Sequence, residues 1–194
     1  MGLRQKDAFS RGLVAANRLE DADFSFFVFF PGMLFGEVEK WWDGAGQRPT
    51  PHEGIDICCF RTRSGDIKMI GSSALIVCPF SRARVIAFMD DFIGKTIVLR
   101  PVDDEWEDFY FFFAHLLPEK GIRIGDGISE GKSFARIAPG SGLKGAPAHV
   151  HVSVARKKDL PDDSRISWPL LTGPFRHALL DPMEFFNFPG AGLS

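Results

Sequence analysis

Five histidines occur in 194 residues, and three of them, His115, His149 and His151, sit beside strand-like stretches where packing alone does not call for an imidazole. In "AHVHVSV" His149 and His151 are two residues apart. A strand presents both rings on one face, with their backbones roughly 6.5 to 7 Å apart. One ring can then bind a metal while the other faces the metal's water. His115 closes "DFYFFFAHL" and shares parity with Phe109, Phe111 and Phe113, which predicts that it emerges on the apolar side as the strand ends. The stretch "TPHEGIDICCF", residues 50–60, adds His52 and Asp56. These two share parity, but a straight strand would hold them roughly 13 Å apart. Gly54 between them is expected to supply the bend that closes the gap.

A neutral imidazole and a carboxylate are both good zinc ligands, and three protein ligands with one open position is the catalytic pattern. His52, Asp56 and one histidine of the 149/151 pair would supply it. The helical HExxH signature is not met: "HEGID" carries Asp where the second His would stand, and its glycine disfavours a helix. Glu53 is therefore not an evident general base. Against any single histidine stands the ordinary role of a hydrogen-bonded core or surface residue, and His177 in "GPFRHALLDP" is assigned to it. "HEGID" on its own is equally a polar turn entering a buried strand. Cys58, Cys59 and Cys78 cannot close a disulfide framework, the adjacent pair must face opposite ways on a strand, and no electropositive partner is in view. They are expected to be buried packing residues.

The elements that must position these side chains are mostly strands. "FSFFVFF", "IKMIGSSALIVC", "ARVIAFM", "KTIVLRPV", "DFYFFFAHL" and "HVHVSVA" are rich in Phe, Val and Ile and are parted by Gly, Pro and Asp. That is the pattern of antiparallel strands in an all-β domain. Residues 1–23 alternate charge and alanine in a helical manner, which predicts a short N-terminal helix or arm. Residues 1–49 are assigned as an arm and groove-wall loop ahead of a site-bearing domain at 50–194, within a length suited to one core. Two long connections, "GEVEKWWDGAGQRPTP" and "KKDLPDDSRISWPLLTGP", hold Trp41, Trp42 and Trp168. Exposed tryptophans in such loops line grooves, although packing onto a neighbouring sheet is their commoner fate.

Twenty phenylalanines against one tyrosine predict a core of wholly apolar rings. With 23 basic and 25 acidic residues, scattered rather than striped, there is no electrostatic footprint for nucleic acid. No secretory signal is readable near the N-terminus, and the run "FSFFVFFPGMLF" is too short to span a bilayer.

The ordered set "HEGID", "FFFAHL", "GIRIGDGISEGKSFARI", "APGSG" and "AHVHVSV" resembles the M23 family of zinc metallopeptidases, the lysostaphin-like or LytM-type endopeptidases. The likeness spans residues 50–155, and "LLDPMEFF" is similar to the family's closing Asp-Pro segment. It implies antiparallel sheets with a hairpin of the barrel-sandwich-hybrid type at "IRIGDGISEGKSFARI", where Gly125 and Asp126 serve the turn. It also implies one zinc per chain, held by His52, Asp56 and His151, with His149 and His115 as the flanking catalytic histidines. The implied activity is hydrolysis of peptide bonds in a peptide or peptidoglycan substrate. The alternatives are a silent binding or regulatory module of the same fold and a D-Ala-D-Ala-type zinc carboxypeptidase. Ser153 departs from the acidic residue often found at its position, and "ICC" from the usual small residues. The family generally acts outside the cytoplasm. A segment ahead of the first ligand can supply an inhibitory fourth ligand, for which Glu37 and Asp43 offer oxygens.

Overall fold

Apolar residues four apart give the N-terminal segment a buried helical face: α1 (Ala8–Ala16) sinks Phe9 and Leu13 completely. The computed structural model describes residues 6–42, 46–102, 105–140, 145–190 and 192–193. The helix packs on the core, with Phe9 edge-on to Phe113 at 5.4 Å and tilted against Phe186 at 5.0 Å. Among the described residues no helix is long and apolar enough to cross a membrane.

The aromatic and β-branched runs form β1 (Phe24–Phe29), β2 (Ile55–Ile57), β3 (Cys59–Thr62), β4 (Ile67–Met69), β5 (Leu75–Val77), β6 (Arg82–Asp90) and β7 (Lys95–Pro101). They continue as β8 (Phe109–Pro118), β9 (Gly127–Ser129), β10 (Ser133–Ile137), β11 (Val150–Arg156), β12 (Leu179–Leu180) and β13 (Gly192–Leu193). A small sheet runs β13-β1-β3-β4, and a nine-stranded sheet runs β12-β11-β8-β7-β6-β9, with β2 on β11 and β10 joining β5 to β8. All pairs are antiparallel except β1 with β13. The all-β expectation holds.

Two stretches divide differently from their hydrophobic pattern. "IKMIGSSALIVC" is not one strand: β4 joins the small sheet and β5 the large one, parting near Gly71, whose φ of 91° lies in the left-handed region. In "IRIGDGISEGKSFARI" the turn at 123–126 forms as expected, with the Asp126 carboxylate accepting from the Arg123 N–H. Residues 122–124 form no strand, however, and β9 and β10 pair with different neighbours, β6 and β8.

The large sheet separates two apolar layers by strand parity. Val150, Val152 and Val154 of β11 and Phe111 and Phe113 of β8 enter the main core, whose rings include Phe9, Phe80, Phe134 and Phe186. Ala155, Tyr110 and Phe112 face the other side, under the short helix α2 (Trp168–Thr172). All three cysteines are free and buried. Burial pushes the Cys78 thiol up to about 12, so it stays protonated packing material.

Candidate metal centre

The register of β2 on β11 sets Asp56 directly opposite His151. Antiparallel partners hold their side chains within reach of each other, and here His151 Nδ1 lies 2.8 Å from Asp56 Oδ1. The two strands approach so closely before this pair that a Cβ on Gly54 would stand 2.0 Å from the Val152 carbonyl oxygen. The chain bends at residues 53–54 as expected, and it is the close approach that requires glycine there. His52 lies outside the strand, in the turn ahead of β2, which removes the separation that a straight strand would impose. Its backbone N–H donates to the Glu37 carbonyl at 2.8 Å, and its own carbonyl accepts from Gly36 at 3.0 Å.

The ligand-type atoms of His52, Asp56 and His151 all lie within 4.8 Å of one another, and all three residues are buried. A carbonyl fixes the tautomer of His52, and a hydroxyl admits the matching tautomer of His151. His52 Nδ1–H donates to the Leu34 carbonyl at 3.1 Å, so Nε2 presents a lone pair inward. His151 meets Ser153 Oγ through Nε2 at 2.8 Å, which leaves Nδ1 to face Asp56 and His52 Nε2, the latter at 3.0 Å. With Nε2–H given to Ser153, two imidazole lone pairs and a carboxylate oxygen converge with no proton between them. That donor set fits a zinc-type cation, which removes the repulsion among the lone pairs. Burial by itself would raise the Asp56 carboxyl. The neighbouring imidazoles of His52, His149 and His151 outweigh burial and hold it well below the usual carboxylate range. Burial depresses His151 despite the Asp56 carboxylate beside it, which keeps its inward nitrogen unprotonated and able to bind a cation.

His149, just ahead of β11, donates Nδ1–H to the Pro147 carbonyl at 2.8 Å and turns Nε2 to within 3.6 Å of Asp56 Oδ1. Burial, opposed by the Asp56 charge, pushes it down to about 4. The His115 ring lies 4.6 Å from that of His149 and 5.9 Å from that of His151. Strict parity would have sent His115 into the main core with Phe111 and Phe113. Instead β8 carries one extra residue there, since Ile97 pairs with Phe113 and Lys95 with Leu116. His115 takes a φ of 63° at this bulge and comes out on the cleft side, and Leu116 returns to the core.

The conformation of His115 is held by a residue that spacing does not reveal. Asp91 accepts from the His115 backbone N–H at 2.9 Å through Oδ2 and from ring Nδ1–H at 3.0 Å through Oδ1. The same carboxylate takes N–H donors from Ile93 and Gly94 and the hydroxyl of Thr96. Burial opposes its ionisation, but the bond and charge of His115 and the backbone donors hold the Asp91 carboxyl far below its ordinary value. Thr96 in turn accepts from the Trp168 indole at 2.9 Å, and Trp168 lies edge-to-face with His151 at 5.6 Å.

No family model matches the sequence, and no curated protein matches it. Among solved structures, the catalytic domain of the antimicrobial peptidase lysostaphin from Staphylococcus simulans aligns over 88% of this chain and 96% of that one, with a TM-score of 0.50 and 17% identity. This chain has the lysostaphin catalytic-domain fold. LytU (16% identity, TM-score 0.48, 78% of this chain and 80% of that one) is similar at a lower score. So is the prophage-encoded M23 protein EnpA of Enterococcus faecalis (15%, 0.40, 61% and 80%). The resemblance read from the sequence holds at the level of fold.

Around the centre the lysostaphin-type fold opens a cleft of about 480 Å³. Trp42, Arg48 and Lys40 line one part of its wall, with Phe92 and Trp168 also at the cleft. Trp168 fills both roles open to it, lining the cleft and packing on Phe112 at 6.2 Å. Glu37 is no fourth ligand: its Oε2 accepts the N–H groups of Gly32 and Leu34 at 2.7 and 2.9 Å. Asp43 lies outside the described residues. Glu53 accepts from the Thr50 hydroxyl at 3.0 Å, and His177 is exposed.

Proposed function

We propose that this chain is a zinc-dependent metalloendopeptidase that hydrolyses peptide bonds in bacterial cell-wall peptidoglycan. The observation that carries it is the convergence of His52 Nε2, His151 Nδ1 and Asp56 Oδ1 at the floor of a cleft, with two further imidazoles beside them. Three such donors with an open side are the pattern of a catalytic rather than a structural zinc site. Zinc held there supplies Lewis acidity and makes water nucleophilic near neutral pH.

The chain's own groups do the rest. His149, unprotonated at neutral pH, takes the proton of the attacking water at Nε2 and passes it to the departing amine. His115, with Nδ1–H committed to Asp91, lines the cleft and, when Nε2 also carries a proton, donates that N–H to the oxygen that gains charge as the carbonyl becomes tetrahedral. Asp91 stands 3.0 Å away to balance a positive charge on that ring. Trp42, Phe92 and Trp168 give the substrate apolar walls. The peptidoglycan substrate rests on the sequence resemblance and on the fold shared with lysostaphin's catalytic domain.

Zinc per chain, measured by elemental mass spectrometry on protein purified without added metal or chelator, tests the site. About one zinc in the wild type, lost in His52→Ala, Asp56→Ala and His151→Ala but kept in His115→Ala and His149→Ala, is expected. Amine release from peptidoglycan should then vanish in all five variants. A His149→Ala protein with full turnover would overturn the assigned roles. Release of terminal amino acids instead of internal fragments would move the activity to a carboxypeptidase.

A further inference from the structure

The loop ahead of the site contributes no metal ligand among its described residues, yet it reaches the centre twice. Asp56 divides its oxygens. Oδ1 faces inward, 2.8 Å from His151 Nδ1 and 3.2 Å from His52 Nε2. Oδ2 faces the loop and accepts the Trp41 indole N–H at 2.6 Å and an Arg48 N–H at 3.3 Å. Both donors are themselves fixed. The Arg48 guanidinium also donates to the carbonyls of Gly32 at 2.7 Å and Glu39 at 3.2 Å, and it lies 4.4 Å over the Trp42 ring. Trp41 stands edge-to-face with His149 at 5.2 Å and with Trp42 at 5.6 Å. The bridge between Glu39 and Gln47 and the Arg48 N–H to the Val38 carbonyl at 2.7 Å fold the loop so that Trp41 and Arg48 meet over one oxygen.

We propose that Trp41 and Arg48 are positioning residues of the metal centre, occupying Asp56 Oδ2 and so confining this carboxylate to ligation through Oδ1 alone. The proposal rests on the metal reading above and adds what limits the ligand count. A carboxylate with both oxygens free can swing or chelate through both. Two N–H donors on Oδ2, one of them cationic, saturate that oxygen and lock the plane of the group. Outer partners of this kind tune a site because a ligand held in place loses no freedom on binding. The indole also ties the centre to His149, since one ring touches both the ligand's outer oxygen and the edge of the neighbouring imidazole.

Trp41→Phe removes the N–H and keeps a ring against His149, and Arg48→Met removes the second donor while keeping a long apolar stem. Zinc dissociation constants are measured by competition with a chromophoric chelator, and cobalt(II)-substituted protein is examined by visible absorption. Each variant should bind zinc about 10- to 100-fold more weakly. The cobalt band should weaken as the freed carboxylate adds a second oxygen, while the melting temperature of the metal-free protein stays near wild type. Wild-type affinity and an unchanged cobalt spectrum in both variants would overturn the clamp alone. A wild-type chain that binds neither metal would overturn the metal centre itself, and the clamp with it.

Discussion

Acid should destabilise the metal-free protein in a way that singles out His149. In the unfolded chain this ring takes up a proton below its ordinary value of 6.5, whereas in the fold burial pushes it down to about 4 in spite of the Asp56 charge. Between those values the unfolded state holds the extra proton. The stabilisation is therefore complete above 6.5 and is lost as pH falls toward 4. The gap of about 2.5 pH units, at about 1.4 kcal/mol each, amounts to about 3 kcal/mol, of which about 2 kcal/mol is already lost between pH 7.5 and pH 5. His149 is only 2% exposed, so solvent screening takes little from this figure. His151, also depressed by burial, adds a loss of the same sign, and the low carboxyls of Asp56 and Asp91 add theirs at more acid pH. A comparison with His149→Gln isolates the one ring. Urea unfolding followed by circular dichroism, with chelator present, should show the wild type losing about 2 kcal/mol more than the variant over that pH interval. Parallel losses would mean that His149 is not held neutral by the fold, which would remove the ground for naming it the general base.

Two substitutions probe the strand geometry and the support of His115. Gly54→Ala would set its Cβ 2.0 Å from the Val152 carbonyl oxygen, a backbone atom that cannot yield without parting β2 from β11. It should cost about 3 kcal/mol in chemical denaturation and weaken zinc retention, because the Asp56–His151 register is the site; a variant of wild-type stability would contradict the close approach. Asp91→Asn leaves the metal ligands untouched but removes the charge beside His115, so turnover should fall about 10²- to 10³-fold with KM and zinc content little changed. Undiminished turnover would show that His115 needs no orienting carboxylate.

The candidate ligands are legible in the sequence and their supports are not, for a reason that lies in the range of each constraint. His151 on β11 and His149 immediately ahead of it both line the cleft, as alternation along an extended chain predicts. The same rule misplaced His115. A bulge inserts one residue, a left-handed backbone turns the ring over, and nothing in "FFFAHL" marks the position, since histidine is not a residue that announces positive φ as glycine does. What holds that conformation is Asp91, 24 residues earlier, through two bonds to His115. The sequence "DDFIGKT" has an Asp ahead of a glycine, and in the structure the Asp91 carboxylate accepts from the Ile93 and Gly94 N–H groups. It cannot show that the capping carboxylate has further lone pairs to give to the neighbouring strand.

Trp41, Arg48 and Ser153 follow the same logic at the metal centre. Composition marked the tryptophans as loop residues with two possible fates, but the partner of an indole N–H depends on tertiary contacts such as the bridge between Glu39 and Gln47. Ser153 looked like a departure from the family pattern. In the structure its hydroxyl receives the second nitrogen of His151, so a neutral oxygen orients the ligand ring. A carboxylate at the same place would raise the basicity of that ring and draw its proton more strongly. Ser153 adds no negative charge to the centre, and on the other side Arg48 offsets the charge of Asp56 at Oδ2. Local periodicity thus reveals which atoms converge on the site, while the groups that fix their protonation and their plane are drawn from distant segments and become visible only when the chain has folded.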